Sequence, residues 1–315
     1  MKSGFAGIIG RPNVGKSTLL NALLGEKIAI ATDKPQTTRN SIRGIYTRGA
    51  GEDDGVQIVF IDTPGIHKAH NKLGEVMDQT AIRTFREVDV ILFLVDSAPD
   101  KGRGDTYILD MIKDLKTPKI LVINKIDEMD PGEFRKTYDA YDETRIFDSI
   151  EGVSALKGTN VEKLIPEIES HLEEGPMYFP EDMIADVPEK FLAAEIIREK
   201  LLMYLDEEVP HGTAVVIDSF VEGEKLTEIY ATIICERESH KGIIIGKGGR
   251  KLKGVGKSAR LELEALLGTR VYLELHVKVK ENWRDSDAAI RNLGYDEKNR
   301  KRRRKRTACT LRPKG

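Results

Sequence analysis

The run Gly10-Arg11-Pro12-Asn13-Val14-Gly15-Lys16-Ser17 constrains this chain more than any other feature, because it fits GxxxxGK[ST] and lies between an apolar stretch and the helix-like TLLNALLG. Glycines at both ends let successive backbone N–H groups face one anion, and the start of the helix adds its positive dipole. On that reading Lys16 brings a point charge to the terminal phosphates of a nucleotide and Ser17 brings a hydroxyl to a magnesium ion. Taken alone, the run also fits a tight glycine turn carrying a surface lysine. What it demands of the fold is a strand, a loop and a helix in that order.

The remainder of residues 1–175 supplies that setting. Phe5 to Gly10, Val56 to Asp62, Val88 to Asp96 and Lys119 to Asn124 are short apolar runs separated by helix-like stretches, which predicts a parallel, doubly wound α/β sheet. Continuous runs such as VDVILFLVD suit strands covered on both faces. Asp62-Thr63-Pro64-Gly65 closes one run and Asn124-Lys125-Ile126-Asp127 closes another, so both are expected at the sheet edge where ligands bind in such folds. DTPG alone reads as a strand ending in a turn. Following a GxxxxGKS loop, it places Asp62 near the metal and the Gly65 N–H near a terminal phosphate, with Thr63, Pro64 and Ile66 in the same nucleotide-contacting segment.

Asp127 decides the base. Its carboxylate accepts from both the ring N–H and the exocyclic amine of guanine, whereas adenine would leave a buried acceptor unpaired at about 1–3 kcal/mol. Ser154-Ala155-Leu156-Lys157 fits the loop that backs the base. Four segments in this order predict a site for GTP and GDP with Mg2+. The candidate contact residues are Gly10 to Ser17, Asp62 to Ile66, Asn124 to Asp127 and Ser154 to Leu156.

Composition bears on what lies beyond. The 315 residues suffice for two domains, and a formal charge of −2 with 40% hydrophobic and 32% charged residues describes a globular protein with no overall field for nucleic acid or membrane. That average hides a polycation, since residues 297–315 hold ten Lys or Arg and one acid, including KNRKRRRKR. Two cysteines, Cys235 and Cys309, exclude a disulfide framework or a Cys-rich metal site and favour a reducing compartment. No apolar run reaches the roughly 18–20 residues needed to span a bilayer, and MKSGFAGIIG reads as a strand rather than a signal peptide.

Residues 176–187 carry two prolines and acids with no sustained period, which predicts a linker. An α+β module is expected over 188–280: a helix in FLAAEIIREKLLMYL, strands over Thr213 to Phe220 and Leu226 to Cys235, a glycine loop, a helix over Arg250 to Leu267 and a strand over Arg270 to Val279. A C-terminal helix is expected over 281–296, followed by a disordered basic tail. Gly246-Lys247-Gly248-Gly249 has the GxxG form of the KH loop that clamps the backbone of about four unpaired nucleotides. Lys247, Arg250, Lys251 and Lys253 would meet phosphates, and the isoleucines before the loop, Ile244 and Ile245 among them, would form an apolar floor for bases. The competing reading is a glycine turn between helices with solvated lysines. Trp283 and Arg284 would either stack on a base or anchor the final helix, and the anchor is favoured.

With these motifs in hand, the first domain resembles the translation-factor-like P-loop GTPases of the TrmE/Era/Der branch. The resemblance implies that Pro35-Gln36-Thr37-Thr38-Arg39 is the first switch, with Thr38 as its hydroxyl on magnesium beside Ser17 and Asp62; residue type alone does not choose between Thr37 and Thr38. Ile66 stands where Ras-like enzymes place a water-orienting Gln, so slow unassisted hydrolysis is expected. Related enzymes of the branch use an Asn at the position of Asn13, with switch-loop carbonyls, to hold a potassium ion. Lys16, Thr38, Gly65 and Asn13 are therefore the catalytic candidates.

Over about residues 4–295, the stretches DTPGIHKAHNKLGE, GPMYFPEDMIADVPEKFLAAEIIREKLL, ERESHKGIIIGKGG and KVKENWRDSDAAIRNLGY resemble the Era family, bacterial GTPases with a C-terminal type II KH domain. That likeness implies GTP-regulated binding near the single-stranded 3′ end of small-subunit ribosomal RNA and assistance to small-subunit assembly. It further implies a cytoplasmic monomer with peripheral contact to the inner membrane. The alternatives are a nucleotide-gated RNA chaperone without turnover and a GTPase partner of a tRNA-modifying enzyme. Two stretches depart from the pattern: an acidic loop, Thr47 to Gly55, which would extend a hairpin, and the basic tail, which would add RNA phosphate contacts, bind anionic lipid or remain solvated.

Overall fold

The computed structural model describes residues 1–34, 36–52, 54–66, 69–96 and 103–295. The basic tail and Pro35 of the expected switch lie outside the described residues.

The first domain contains, in chain order, β1 (Lys2–Gly10), α1 (Lys16–Leu24), β2 (Ile42–Arg48), β3 (Val56–Asp62), α2 (Lys72–Arg86), β4 (Val90–Val95), α3 (Arg103–Ile112), β5 (Lys119–Ile123), α4 (Pro131–Asp142), β6 (Ser149–Gly152) and α5 (Leu164–Ser170). Its sheet has the order β2-β3-β1-β4-β5-β6. β1, β3, β4, β5 and β6 run parallel, while β2 pairs antiparallel with β3 from Ile42↔Asp62 to Arg48↔Val56. The sheet is thus mixed rather than wholly parallel, and the acidic loop after Thr47 closes a hairpin at its edge. A hairpin needs only a short turn, whereas each parallel pair requires a crossover.

Both sheet faces are covered, which explains the unbroken apolar strands. Leu19, Leu20 and Leu23 of α1 pack with Leu164, Ile165 and Ile168 on one face, and Ala81, Phe85, Ile108 and Ile112 of α2 and α3 pack on the other. Each such side chain contributes about 1.5–3 kcal/mol on full burial. Because β1 connects outward to β3 on one side and β4 on the other, the strand order reverses at β1, and the carboxyl ends of the parallel strands share one edge.

The expected linker is a packed strip. Ile45 N–H donates to the Ile184 carbonyl (2.9 Å), Asp186 N–H to the Arg43 carbonyl (3.1 Å), and the buried Gln57 amide bonds the backbone of Tyr178 and Phe179. The segment therefore satisfies the free edge of β2, a contact that a local pattern cannot reveal.

Beyond it stand α6 (Glu189–Tyr204), β7 (Ala214–Val221), β8 (Leu226–Cys235), α7 (Glu238–Ile245), α8 (Arg250–Leu267) and β9 (Arg270–Val279). Strands β7 and β8 pair antiparallel, β8 and β9 parallel. The helices pack on one face through Ile197, Leu201, Ile244, Val255 and Leu263. In place of a helix over 281–296 the chain forms a 3-10 turn, Trp283–Asp285, and the six-residue α9 (Asp287–Asn292). Asn282 at φ 47° and extended Ser286, whose hydroxyl caps α9, break the longer helix.

Candidate nucleotide and nucleic-acid sites

The loop between β1 and α1 is held from below. Gly15 has φ 97°, and a Cβ there would lie 2.2 Å from Asn124 Nδ2. That amide donates to the Val14 carbonyl (2.8 Å), and its oxygen accepts from Ala155 N–H (2.9 Å). Asn124, read as a nucleotide contact, thus ties the phosphate loop to the Ser154–Ala155 loop. Lys16 Nζ donates to the carbonyls of Gly10 (3.1 Å) and Arg11 (2.7 Å). Burial lowers its pKa to about 8, against the pull of Asp62.

Arg11 requires a correction, because its side chain is used for scaffolding rather than directed into the cleft. Nε donates to Asp105 (2.7 Å) and Nη2 to Asp96 (2.9 Å), while Lys125 Nζ lies 3.8 Å from the same Asp96. The cleft is lined instead by Pro12, Asn13, Gly15, Lys16, Ser17 and Thr38, among others. Asp96 follows β4 as Asp62 ends β3, a polar residue closing an apolar run, and that was the available signal for it.

Three oxygen-bearing side chains converge beside Lys16. Ser17 Oγ donates to Asp62 Oδ2 (2.6 Å) and lies 2.7 Å from Thr38 Oγ1, which is 3.4 Å from the same carboxylate oxygen. Asp62 is fully buried, and burial raises its pKa to about 6 despite Lys16 and the hydroxyl donors. Its Oδ1 has no hydrogen-bond partner. A buried, unpartnered carboxylate oxygen beside two hydroxyls is a hard-oxygen donor set, and it fits magnesium. Thr37 faces the other way: its hydroxyl donates to the Lys34 carbonyl (2.6 Å) and meets Thr32 (2.6 Å). The structure thus separates the two threonines that residue type left open.

The DTPG segment lies directly on the phosphate loop. A Cβ on Gly65 would sit 2.7 Å from Pro12 N, Ile66 N–H donates to the Gly10 carbonyl (3.2 Å), and Thr63 Oγ1 donates to the Ile8 carbonyl (2.8 Å). Pro64 is buried, and the Ile66 side chain points into the apolar cluster of α2 and β4. Asn13, at φ 65°, donates from Nδ2 to the Asp33 carbonyl (2.5 Å), bridging the phosphate loop and the Thr38 segment.

At the base end, Lys125 has φ 64° and starts the 3-10 turn Ile126–Glu128, which presents Asp127 to solvent. Ile126 N–H donates to the Val153 carbonyl (3.2 Å), so this turn abuts the Ser154 loop. Ser154 and Ala155 are buried, while Leu156 is 72% exposed.

In the second domain, α7 leads into the GxxG loop and α8 leaves it. Lys247, Gly248, Arg250 and Lys253 are exposed, and Ile245, Gly246, Gly249 and Lys251 half-buried. Ile244 is corrected: its side chain is wholly buried with Val255 and Ile233 and cannot floor a base. Helical periodicity turns Ile243 outward instead, where it is 43% exposed. Trp283 is buried, donates from Nε1 to the Gly212 carbonyl (2.9 Å) and stacks on Tyr295 at 5.9 Å, while Arg284 pairs with Glu236 at 2.5 Å. Both anchor the C-terminal segment.

A glycine loop backed by a buried Lys, Ser, Thr and Asp at the switch point of a doubly wound sheet, joined to an α+β module with a GxxG turn, defines a P-loop GTPase carrying a KH domain. The family model described as 50S ribosome-binding GTPase matches residues 5–125, and that of the KH domain matches 208–284. GTPase Era of Alkaliphilus oremlandii (strain OhILAs) is 57% identical over 297 residues, covering 94% of this chain and 99% of that protein. GTPase Era of Clostridioides difficile (strain 630) is 55% identical over 300 residues with the same coverage. A crystal structure of Era in complex with MgGDPNP and nucleotides 1506-1542 of 16S ribosomal RNA superposes with a TM-score of 0.89 at 43% identity, covering 94% of this chain and 99% of that one. The chain belongs to the Era family of GTPases.

Proposed function

We propose that this chain is a GTP-hydrolysing switch that binds the single-stranded 3′ region of small-subunit ribosomal RNA and assists assembly of the small subunit. The convergence of Lys16, Ser17, Thr38 and Asp62 in a chain that also carries a basic GxxG loop is the observation behind this reading. The MgGDPNP and 16S ribosomal RNA bound by the structural neighbour support it.

In this reading Ser17, Thr38 and Asp62 hold Mg2+, which when bound neutralises charge on the terminal phosphates. Lys16 exchanges its two carbonyl partners for phosphate oxygens, and a phosphate nearby returns its lowered pKa upward. The Gly65 N–H meets the terminal phosphate, and Asp127 takes the two guanine donors. Asn124 positions the loops from behind, and Ile66 supplies no hydrogen bond to the attacking water, so unassisted hydrolysis is slow. Asn13, facing the Asp33 carbonyl, contributes with that loop to a potassium site. Lys247, Arg250, Lys251 and Lys253 meet RNA phosphates, with Ile243 as the apolar contact. We place the chain in the cytoplasm as a monomer, with peripheral contact to the inner membrane.

GTP turnover measured with and without a short single-stranded RNA copying the small-subunit 3′ end tests the reading. Stimulation that Gly248→Asp loses is expected, along with faster turnover in potassium than in sodium. Turnover indifferent to RNA would overturn the RNA assignment, and equal rates in the two salts the potassium one.

A further inference from the structure

Three consecutive residues carry contacts to two different domains. Thr38 turns its hydroxyl toward Ser17 and Asp62. On one side of it, the Thr37 carbonyl accepts from Arg198 Nη2 of α6, whose guanidinium also forms a two-point pair with Glu195 at 2.9 and 2.6 Å. On the other side, Arg39 donates to the carbonyls of Thr213 (2.5 Å) and His211 (2.8 Å). Its guanidinium carbon lies 5.8 Å from the ring centres of both Trp283 and Tyr295. Arg39 and Arg198 are almost entirely buried, although each belongs to a residue type that is buried only when paired.

We propose that Thr37–Arg39 forms a clasp coupling the phosphate site to the placement of the RNA-binding domain, with Arg198 and Arg39 as its two positioning residues. The inference rests on the nucleotide-switch reading above and deepens it. The spacing leaves little slack: consecutive Cα atoms are about 3.8 Å apart, so a shift of Thr38 away from Ser17 must pull on the carbonyl held by Arg198 and on the Arg39 side chain. Conversely, a second domain seated on both arginines holds Thr38 where its hydroxyl meets Asp62. Coupling of this kind is reciprocal, so a ligand that favours one seating of the second domain alters affinity at the phosphate site by the same factor.

The clasp is built to open. Arg39 Nε and Arg198 Nη1 are buried without hydrogen-bond partners, so the closed arrangement retains a desolvation cost. A fully satisfied network would lock the domains together, whereas a partly satisfied one lets a change at Thr38 decide between two seatings.

The single tryptophan of the chain, Trp283, sits inside this contact and reports on it. The experiment compares Trp283 emission of the full chain with GDP and with a non-hydrolysable GTP analogue plus Mg2+, while equilibrium dialysis separately measures nucleotide uptake. Emission should differ between the two nucleotides. Arg39→Met, and the paired replacement Arg198→Met with Glu195→Gln that avoids stranding a carboxylate, should erase the difference. Both should bind nucleotide within about threefold of the parent and lose about tenfold in kcat, the scale of one lost charge-assisted hydrogen bond. Arg198→Lys, which still reaches the Thr37 carbonyl, should recover part of kcat. Circular dichroism establishes which variants are folded. Identical parental emission with both nucleotides overturns the clasp, as do folded variants that keep the parental difference. Absence of nucleotide uptake by the parent overturns the switch reading and the clasp with it, and dialysis distinguishes that outcome because it does not depend on emission.

Discussion

The phosphate loop and the GxxG loop are built to the same local plan and put to opposite uses. Each is a glycine-rich turn feeding a helix whose first residues follow a left-handed glycine, Gly15 at φ 97° before α1 and Gly249 at φ 74° before α8. Each brings a lysine, Lys16 buried and Lys247 exposed. Around the first, glycine is required by crowding: a Cβ at Gly15 meets Asn124 Nδ2 at 2.2 Å. Around the second, a Cβ at Gly248 or Gly249 meets nothing within 4 Å. The first loop is a closed mould for one anion, and the second is an open rail on which a chain of phosphates can lie. The same dipeptide logic thus serves a small ligand when the fold wraps it and a polymer when the fold leaves it bare.

If that contrast is right, a methyl group should ruin one loop and a charge should be needed to ruin the other. Gly15→Ala is expected to lower GTP turnover by about 10³-fold and to cost about 2 kcal/mol in thermal stability, since the clash and the positive φ act together. Steady-state turnover with a melting curve checks both, and near-normal values would show that the mould yields. Gly248→Asp should lower RNA affinity by about 10- to 100-fold through repulsion of phosphates. It should shift melting by only about 2–4 °C, because Asp tolerates φ 61° at about 1 kcal/mol. A large loss of stability with unchanged RNA binding would break the comparison.

The adjoining isoleucines sharpen it. Ile244→Ala removes core atoms and should cost about 2–5 kcal/mol of stability. Ile243→Ala should leave melting within a few tenths of a kcal/mol and weaken RNA binding about 3- to 10-fold, on the scale of one exposed apolar contact. Calorimetric melts and RNA titrations of the two variants separate core from surface. The reverse pattern would place α7 in the wrong register.

What the sequence disclosed, and what it withheld, follows the range of the interactions. GxxxxGKS, DTPG and NKID were legible because each lies where an apolar run stops, and the chemistry of a strand end needs no distant information. β2 and α7 escaped notice, since IRGIYTR has no clean alternation and ESHKGIII buries only His240 and Ile244. Arg11 looked like a phosphate ligand because its acidic partners lie about 85 and 94 positions away. Least legible was α6: Glu195, Arg198, Glu199 and Lys200 read as a solvated face, yet all four are buried where the domains meet. Lys27 pairs with Glu199 at 2.8 Å from the other domain, and nothing local to either residue announces it.

The smallest effect concerns the energetic cost of the closed mould. The folded pKa of Asp62, about 6, lies above its ordinary value of 3.8, so at neutral pH the folded protein carries a buried charge it would prefer to lose. The interval corresponds to about 3 kcal/mol against folding at pH 7. As pH falls from about 6 toward 3.8, the folded state takes up its proton before the unfolded state does, and this cost disappears. Asp62→Asn should therefore melt no lower than the parent at pH 7 without ligand, with an advantage that closes as pH falls to about 4. The gain should stay below about 3 kcal/mol, because Lys16, already lowered to about 8, loses the charge that faces it. Melts of the ligand-free pair between pH 4 and 7.5 decide the matter, with a variant less stable at pH 7 or a pH-independent gap as the contrary results. In the open GxxG loop no such trade is expected, since its lysines stay in water. Stability is sacrificed only where the ligand must be enclosed.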